Sequence, residues 1–124
     1  MRVLVCGGRD FTDWDYVDQT LGQIHRKLHI TQVIEGGAPG ADRLGRRWAN
    51  ENAISLLTFD ADWDRYGNRA GPVRNCKMLR EGNPELVVAF KGGTGTRHMV
   101  GIAEEAGVRV LRRFDNEARG IRIG

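Results

Sequence analysis

Two arrangements of apolar residues take turns along this chain: short unbroken runs, and longer stretches that repeat at helical spacing. Arg2-Val3-Leu4-Val5-Cys6 is a nearly continuous apolar run, the mark of a strand buried on both faces, and Gly7-Gly8 ends it. Thr12-Asp13-Trp14-Asp15 has the composition of a helix start, after which Val17, Leu21, Ile24 and Leu28 recur at helical spacing. Thr31 to Glu35 reads as a second strand, closed by Gly36-Gly37, and Leu44, Trp48 and Ala49 mark a helix from Ala41 to about Asn52. Ile54 to Phe59 is a third strand. Residues 60–71 lack periodicity and read as an irregular loop. A helix from about Pro72 to Arg80 follows, since proline suits a first turn. Leu86 to Phe90 is a fourth strand, and a helix runs from about Gly95 to Ala106, with Gly107 placed to cap it. Val108 to Leu111 is a fifth strand, and residues 114–124 form a polar, loose tail.

Strands and helices alternating at this interval make βαβ units. The expectation is therefore an α/β fold in three layers, a five-stranded parallel sheet with helices on both faces, forming one domain over residues 1–124. The glycine pairs at 7–8, 36–37 and 92–93 each follow a strand. In a parallel sheet they fall together on the carboxyl edge, where such folds bind ligands.

Composition narrows the function classes. Hydrophobic residues are 40% and charged residues 28% of the 124, an ordinary globular balance. No apolar stretch is long enough to span a membrane, and the amino-terminal apolar segment is too short for a signal peptide, so the expected location is cytoplasmic. Cys6 and Cys76 fit no metal-ligand spacing and read as buried thiols; neither a metal nor a cofactor is expected. A net charge of +3 and a pI near 9.2 suit a phosphate-bearing ligand; they permit nucleic acid without demanding it.

Glycine, at 17 residues, is the outlier, and it is clustered. Lys91-Gly92-Gly93-Thr94-Gly95-Thr96 is a strand-to-helix turn whose backbone N–H groups would present partial positive charge to an anion. Thr94 and Thr96 add hydroxyls and Lys91 a full charge. The turn has neither the Gly-Lys-Ser/Thr ending of a P-loop nor the GxGxxG fingerprint. A tight turn needing positive φ explains one glycine but hardly three. Gly36-Gly37-Ala38-Pro39-Gly40-Ala41-Asp42 repeats the theme after the second strand. Asp42 there either caps the helix, orients an arginine or takes ribose hydroxyls. Gly7-Gly8-Arg9-Asp10 supplies a third loop, whose Arg9 has a planar fork suited to phosphate.

With these residues assembled, the chain resembles the DUF2493 family, the YspA-like branch of the SLOG superfamily. Gly7-Gly8-Arg9-Asp10-Phe11, Gly36 to Asp42, Trp63 with Ala70-Gly71-Pro72-Val73-Arg74-Asn75 and Met78, and Gly92 to Thr96 carry the resemblance. It implies a compact Rossmann-like fold and a nucleotide or nucleotide-derived ligand. The superfamily also holds the LOG-type phosphoribohydrolases and the DNA-processing protein DprA. LOG enzymes carry Pro-Gly-Gly-x-Gly-Thr-x-x-Glu and an upstream Arg-Lys-x-x-Met, and they cleave base from ribose monophosphate. Here Arg74 and Met78 match, Asn75 replaces the lysine, Lys91 replaces the proline and Met99 stands at the glutamate position. Methionine can neither accept a proton nor stabilise an oxocarbenium-like cation, as a carboxylate does in glycosidic cleavage. His98 projects about 100° away on a helix and is no obvious substitute. The resemblance thus implies a kept cradle and a lost LOG acid.

Three readings follow. The first is binding of a nucleotide, ribose phosphate or ADP-ribose-like ligand through Gly7, Gly8, Arg9, Gly36, Gly37, Gly40, Asp42, Arg74, Lys91, Gly92, Gly93, Thr94, Gly95 and Thr96. The second is a hydrolase acting on the N-glycosidic or phosphate bond of such a ligand through Glu35, Asp10 or Asp42, with Glu35 best placed at its strand end. The third, single-stranded nucleic-acid binding by analogy with DprA, is set back by the weak charge and the lack of a basic stripe. In the 60–71 segment Trp63 or Tyr66 stacks on a base, or Trp63 tucks onto the core; Arg74, read at a helix's first turn, meets phosphate. Trp14 and Trp48 pack helices on the sheet, and Arg46-Arg47 and Arg112-Arg113 are read as solvated. Related LOG enzymes form dimers, and the helix faces here allow a homodimer.

Overall fold

The computed structural model of the chain describes residues 1–114; the expected polar tail from 115 onward lies outside them. Five strands form one all-parallel sheet: β1 (Arg2–Cys6), β2 (Gln32–Glu35), β3 (Ser55–Thr58), β4 (Leu86–Phe90) and β5 (Arg109–Arg113), in the spatial order β3-β2-β1-β4-β5. The crossovers are α1 (Trp14–Leu28), α2 (Ala41–Glu51), a compound segment containing α3 (Trp63–Tyr66) and α4 (Ala70–Lys77), and α5 (Thr94–Glu105). This is the expected three-layer, Rossmann-like α/β/α fold.

Period-two alternation sorts the strand residues between two layers. Val3 and Val5 of β1 and Val33 of β2 join Tyr16, Val17, Leu21 and Ile24 of α1 and Trp48 of α2 in one cluster. Leu4, Cys6, Ile34, Val87 and Ala89 face the other way, into a cluster with Met78, Met99 and Ala103. Burial on both faces accounts for the unbroken apolar runs of β1 and β4. Asp13 begins α1 by accepting the Tyr16 N–H at 3.0 Å, and left-handed His29 ends it.

Strand order decides where a ligand can go. The chain winds from β1 outward through β2 and β3, then returns to start β4 on the other side of β1. The loops after β1 and β4 therefore depart toward opposite helical layers, and a crevice opens between them at the carboxyl edge. Cys6 pairs in register with Ala89, so both strands stop at the same height beneath that crevice.

Residues 60–71 differ from expectation. Asp62 accepts the Arg65 N–H at 3.1 Å and starts α3, a 3-10 turn follows over Gly67–Arg69, and α4 begins at Ala70. No apolar period announces these turns because no side chain of α3 is buried; local capping sets them. Helix α4 passes into a π turn over Met78–Gly82. Arg74 consequently lies on the second turn of α4, not the first. Trp63 is 52% exposed rather than tucked onto the core, and Cys76 is exposed while Cys6 is buried. Trp48 packs as expected, at 1% exposure. Arg46 reaches buried Glu35 at 3.4 Å, so it is not simply solvated. Among the described residues no helix is long and apolar enough to cross a membrane.

Candidate functional site

The three glycine loops interlock at the crevice through one residue. The Gly8 N–H donates to Lys91 O at 2.9 Å, and Gly8 O accepts the Phe11 N–H at 3.2 Å and the Ala41 N–H at 3.1 Å. Two further glycines make this approach possible. A Cβ on Gly92 would stand 2.7 Å from the Gly8 nitrogen, and one on Gly40, whose φ is +81°, would enter the Gly8–Arg9 backbone.

Above this knot lies a cavity of about 910 Å³. Its floor is Cys6, Met78 and Met99; one wall is the Gly7–Phe11 loop, and the opposite wall is the turn from Lys91 to Thr96. Ala38 and Asp42 enter from the β2–α2 loop, Arg74 and Asn75 from α4, and Trp63 and Asn68 from the segment before it. That segment, expected to be irregular, supplies an ordered side of the cleft.

At the Lys91–Thr96 turn, Gly93 is the N-cap of α5 and gives no side-chain cap. The first N–H groups of a helix have no intrahelical acceptor, so this terminus carries partial positive charge along the cavity wall. Asn75, 5% exposed, fixes the turn from below: its Nδ2 donates to Gly95 O at 3.2 Å and lies 3.2 Å from His98 Nδ1, while its Oδ1 accepts from Arg74 Nε at 3.0 Å. In the sequence Asn75 stands out only as the residue in place of the LOG lysine. Its place on the buried side of α4, one residue after a cavity-facing arginine, becomes visible only once the helix start is known.

Arg74 donates from Nη1 to Gly36 O. Beside it, Asp42 is 6% exposed, and its Oδ2 accepts the Ala38 N–H at 3.2 Å. Burial pushes the Asp42 carboxyl up to about 6 and the negative charge of Glu35 adds to this, while the Ala38 and Gly36 N–H groups and the Arg74 charge pull the other way. The Cys6 thiol is pushed far above its usual range, by burial first and Asp42 second, against Arg74. It is therefore inert as a thiolate.

The expected site residues thus divide. Gly7, Gly8, Arg9, Asp10, Asp42, Arg74 and Lys91 through Thr96 line the cavity. Gly36, Gly37 and Gly40 do not; they shape the loop that delivers Asp42. A Cβ on Gly36 would stand 3.0 Å from Asp42 Oδ2, and Gly37, with φ of +73°, abuts Asp60. Glu35, fully buried, is also absent from the cavity wall. Its carboxylate accepts the Gly37 N–H at 2.8 Å, a hydroxyl hydrogen bond from Thr58 and, at 3.4 Å, Arg46 Nη2. Alternation along β2 explains this: Glu35 shares the face of Val33, toward α2, whereas the cavity floor belongs to the face of Cys6 and Met99. Met99, 1% exposed, closes the floor with a thioether where LOG enzymes place an acid.

Comparison with known proteins agrees with this construction. The gene 61 protein of Mycobacterium phage D29 is 36% identical over 122 residues, spanning 92% of this chain and 97% of that protein. The family described as YspA, cpYpsA-related SLOG family (YAcAr) matches residues 1–66, more than half of the chain, and carries a nucleotide-related function in general terms. With more than half of the chain matched by that family and a relative 36% identical over nearly the whole length, the chain is a member of the YspA, cpYpsA-related SLOG family.

Proposed function

We propose that the crevice binds a nucleotide or nucleotide-derived ligand, a ribose phosphate or ADP-ribose-like molecule. Its phosphate lies against the Gly92–Thr96 turn and its base against Trp63. One observation carries the reading. A Cβ at Gly93 or Gly95 would meet nothing within 4 Å, and neither residue has a positive φ. The space around both positions would admit a side chain, yet both are glycine, at the N-cap and in the first turn of α5. A ligand that approaches the backbone closely, at an uncapped helix N-terminus, accounts for them. Lys91 and Arg9 supply charge at the same rim.

The test is incubation of the purified chain, near stoichiometric, with AMP, CMP, ADP-ribose, NAD and cyclic derivatives, with mass spectrometry of bound and free fractions. Intact ligand in the bound fraction is the expected result; failure of every one of these to bind would sink the reading.

Hydrolysis of the N-glycosidic or phosphate bond is favoured by one further observation. Asp42 lines the cavity beside Arg74, and its carboxyl, raised to about 6, can exchange a proton near neutral pH, as an acid–base group must. Free base or released phosphate accumulating with time, and lost in Asp42→Asn, would select this second reading.

A further inference from the structure

Asp42 is an unusual cavity residue. It is buried, it sits in the first turn of α2, and its loop is shaped around it by Gly36 and Gly40. A purely structural buried carboxylate is ordinarily neutralised by a directly bonded cation. The neighbouring cation here is otherwise engaged: Arg74 gives its hydrogen bonds to Gly36 O and Asn75 Oδ1, and among the described residues no ion pair joins it to Asp42. The titratable groups around it are Cys6 from β1, Glu35 from β2 and Arg74 from α4, and no side chain among them donates a hydrogen bond to its carboxylate, which is held by backbone N–H groups. A ligand phosphate cannot sit against it. What a carboxylate in a cavity can take is a hydrogen-bond donor, and in a nucleotide whose phosphate lies on the Gly92–Thr96 turn the sugar hydroxyls are the donors next along.

We propose that Asp42 is a specificity-determining residue that accepts a hydrogen bond from a ribose hydroxyl, which makes this site selective for ribonucleotides over their deoxy counterparts. The inference rests on the nucleotide reading above. Its magnitude follows from the cost of leaving a buried charged acceptor without its donor: removing the hydroxyl weakens binding by about 10- to 100-fold. Protonation weakens the acceptor, so the discrimination shrinks as pH falls through the Asp42 transition.

The experiment is calorimetric titration of the full chain with AMP, CMP, GMP and UMP, each beside its 2′-deoxy and 3′-deoxy forms, at pH 7.5 and pH 5. At pH 7.5 the best-bound ribonucleotide is expected to exceed at least one of its deoxy forms by about 10-fold or more, with a smaller ratio at pH 5. Asp42→Asn keeps an acceptor for the Ala38 N–H, and its ratio should fall toward one. Should that variant not fold, the wild-type pH dependence of the ratio decides the matter. Equal affinity for ribo and both deoxy forms at pH 7.5 would overturn the inference while leaving nucleotide binding intact. A ratio unchanged in Asp42→Asn would overturn it too. Failure of every nucleotide to bind would instead remove the reading beneath it.

Discussion

Replacing Gly93 by leucine separates a glycine kept for a ligand from one kept for the fold. The new side chain starts in open space on the cavity wall, with nothing within 4 Å of its Cβ. The stability cost is then mainly the poorer N-cap, about 1 kcal/mol. For a chain of this size that corresponds to a fall in Tm of at most about 5 °C. Binding should suffer far more, because four carbons would occupy the space in front of the α5 N-terminus. Loss of two charge-assisted hydrogen bonds at about 1.5–3 kcal/mol each weakens affinity by at least about 100-fold. Thermal melts and calorimetry with the best-binding nucleotide measure both quantities on one sample. Gly92→Ala is the counterpart, since its Cβ would stand 2.7 Å from the Gly8 nitrogen. It should lose stability as well as affinity. A Gly93→Leu protein that melts normally and binds as wild type would refute the cradle assignment.

Further outcomes follow from the same geometry. Trp63→Ala should leave stability within about 0.5 kcal/mol, since the ring is 52% exposed, but weaken nucleotide binding by the 1–3 kcal/mol typical of a base stacked on an aromatic, read by calorimetry. Glu35→Gln should lower unfolding free energy by about 2–3 kcal/mol in urea titration, because it removes the buried charge that pairs with Arg46 and leaves one acceptor oxygen where Gly37, Thr58 and Arg46 have two. It should not abolish hydrolysis if any exists. Asp42 has its proton affinity raised in the folded state, from 3.8 to about 6. The folded state therefore binds more protons between those values, and this group's contribution to stability falls as pH rises. Between pH 5 and pH 7 the wild type should lose about 1 kcal/mol relative to Asp42→Asn in paired urea titrations. A parallel pH dependence in the two proteins would contradict the assigned burial.

Much of this was legible in the sequence, for identifiable reasons. The runs at residues 2–6 and 86–90 could only be two-sided strands, and glycine pairs directly after strands had to meet at one edge. Other features depend on relations a linear reading does not contain. That Glu35 turns away from the cavity follows from the face of Val33, but only once it is known which layer carries the cavity. Trp63 stays open between core and cleft in the sequence, because the Asp62 cap that fixes a four-residue helix and leaves the ring outside has no periodic signature. The start of α4 at Ala70 moved Arg74 by a turn, so the anomaly of a cation in a first turn disappears. Its use is instead the bond to Gly36 O, between residues 38 positions apart.

The knot at Gly8 bears on how such a protein can change. The backbone N–H and C=O of one residue hold the loops after β1 and β4 and the start of α2, with Gly40 and Gly92 pressed against them. An insertion in any one of these loops would displace the other two, so their lengths are tied together and substitutions among them should be non-additive. The side of the cleft built by Trp63, Asn68 and Gly71 is outside that knot. New ligand preferences would therefore arise most readily by rebuilding residues 60–71 over an unaltered glycine base, which makes that segment the place to randomise in any attempt to redirect the site.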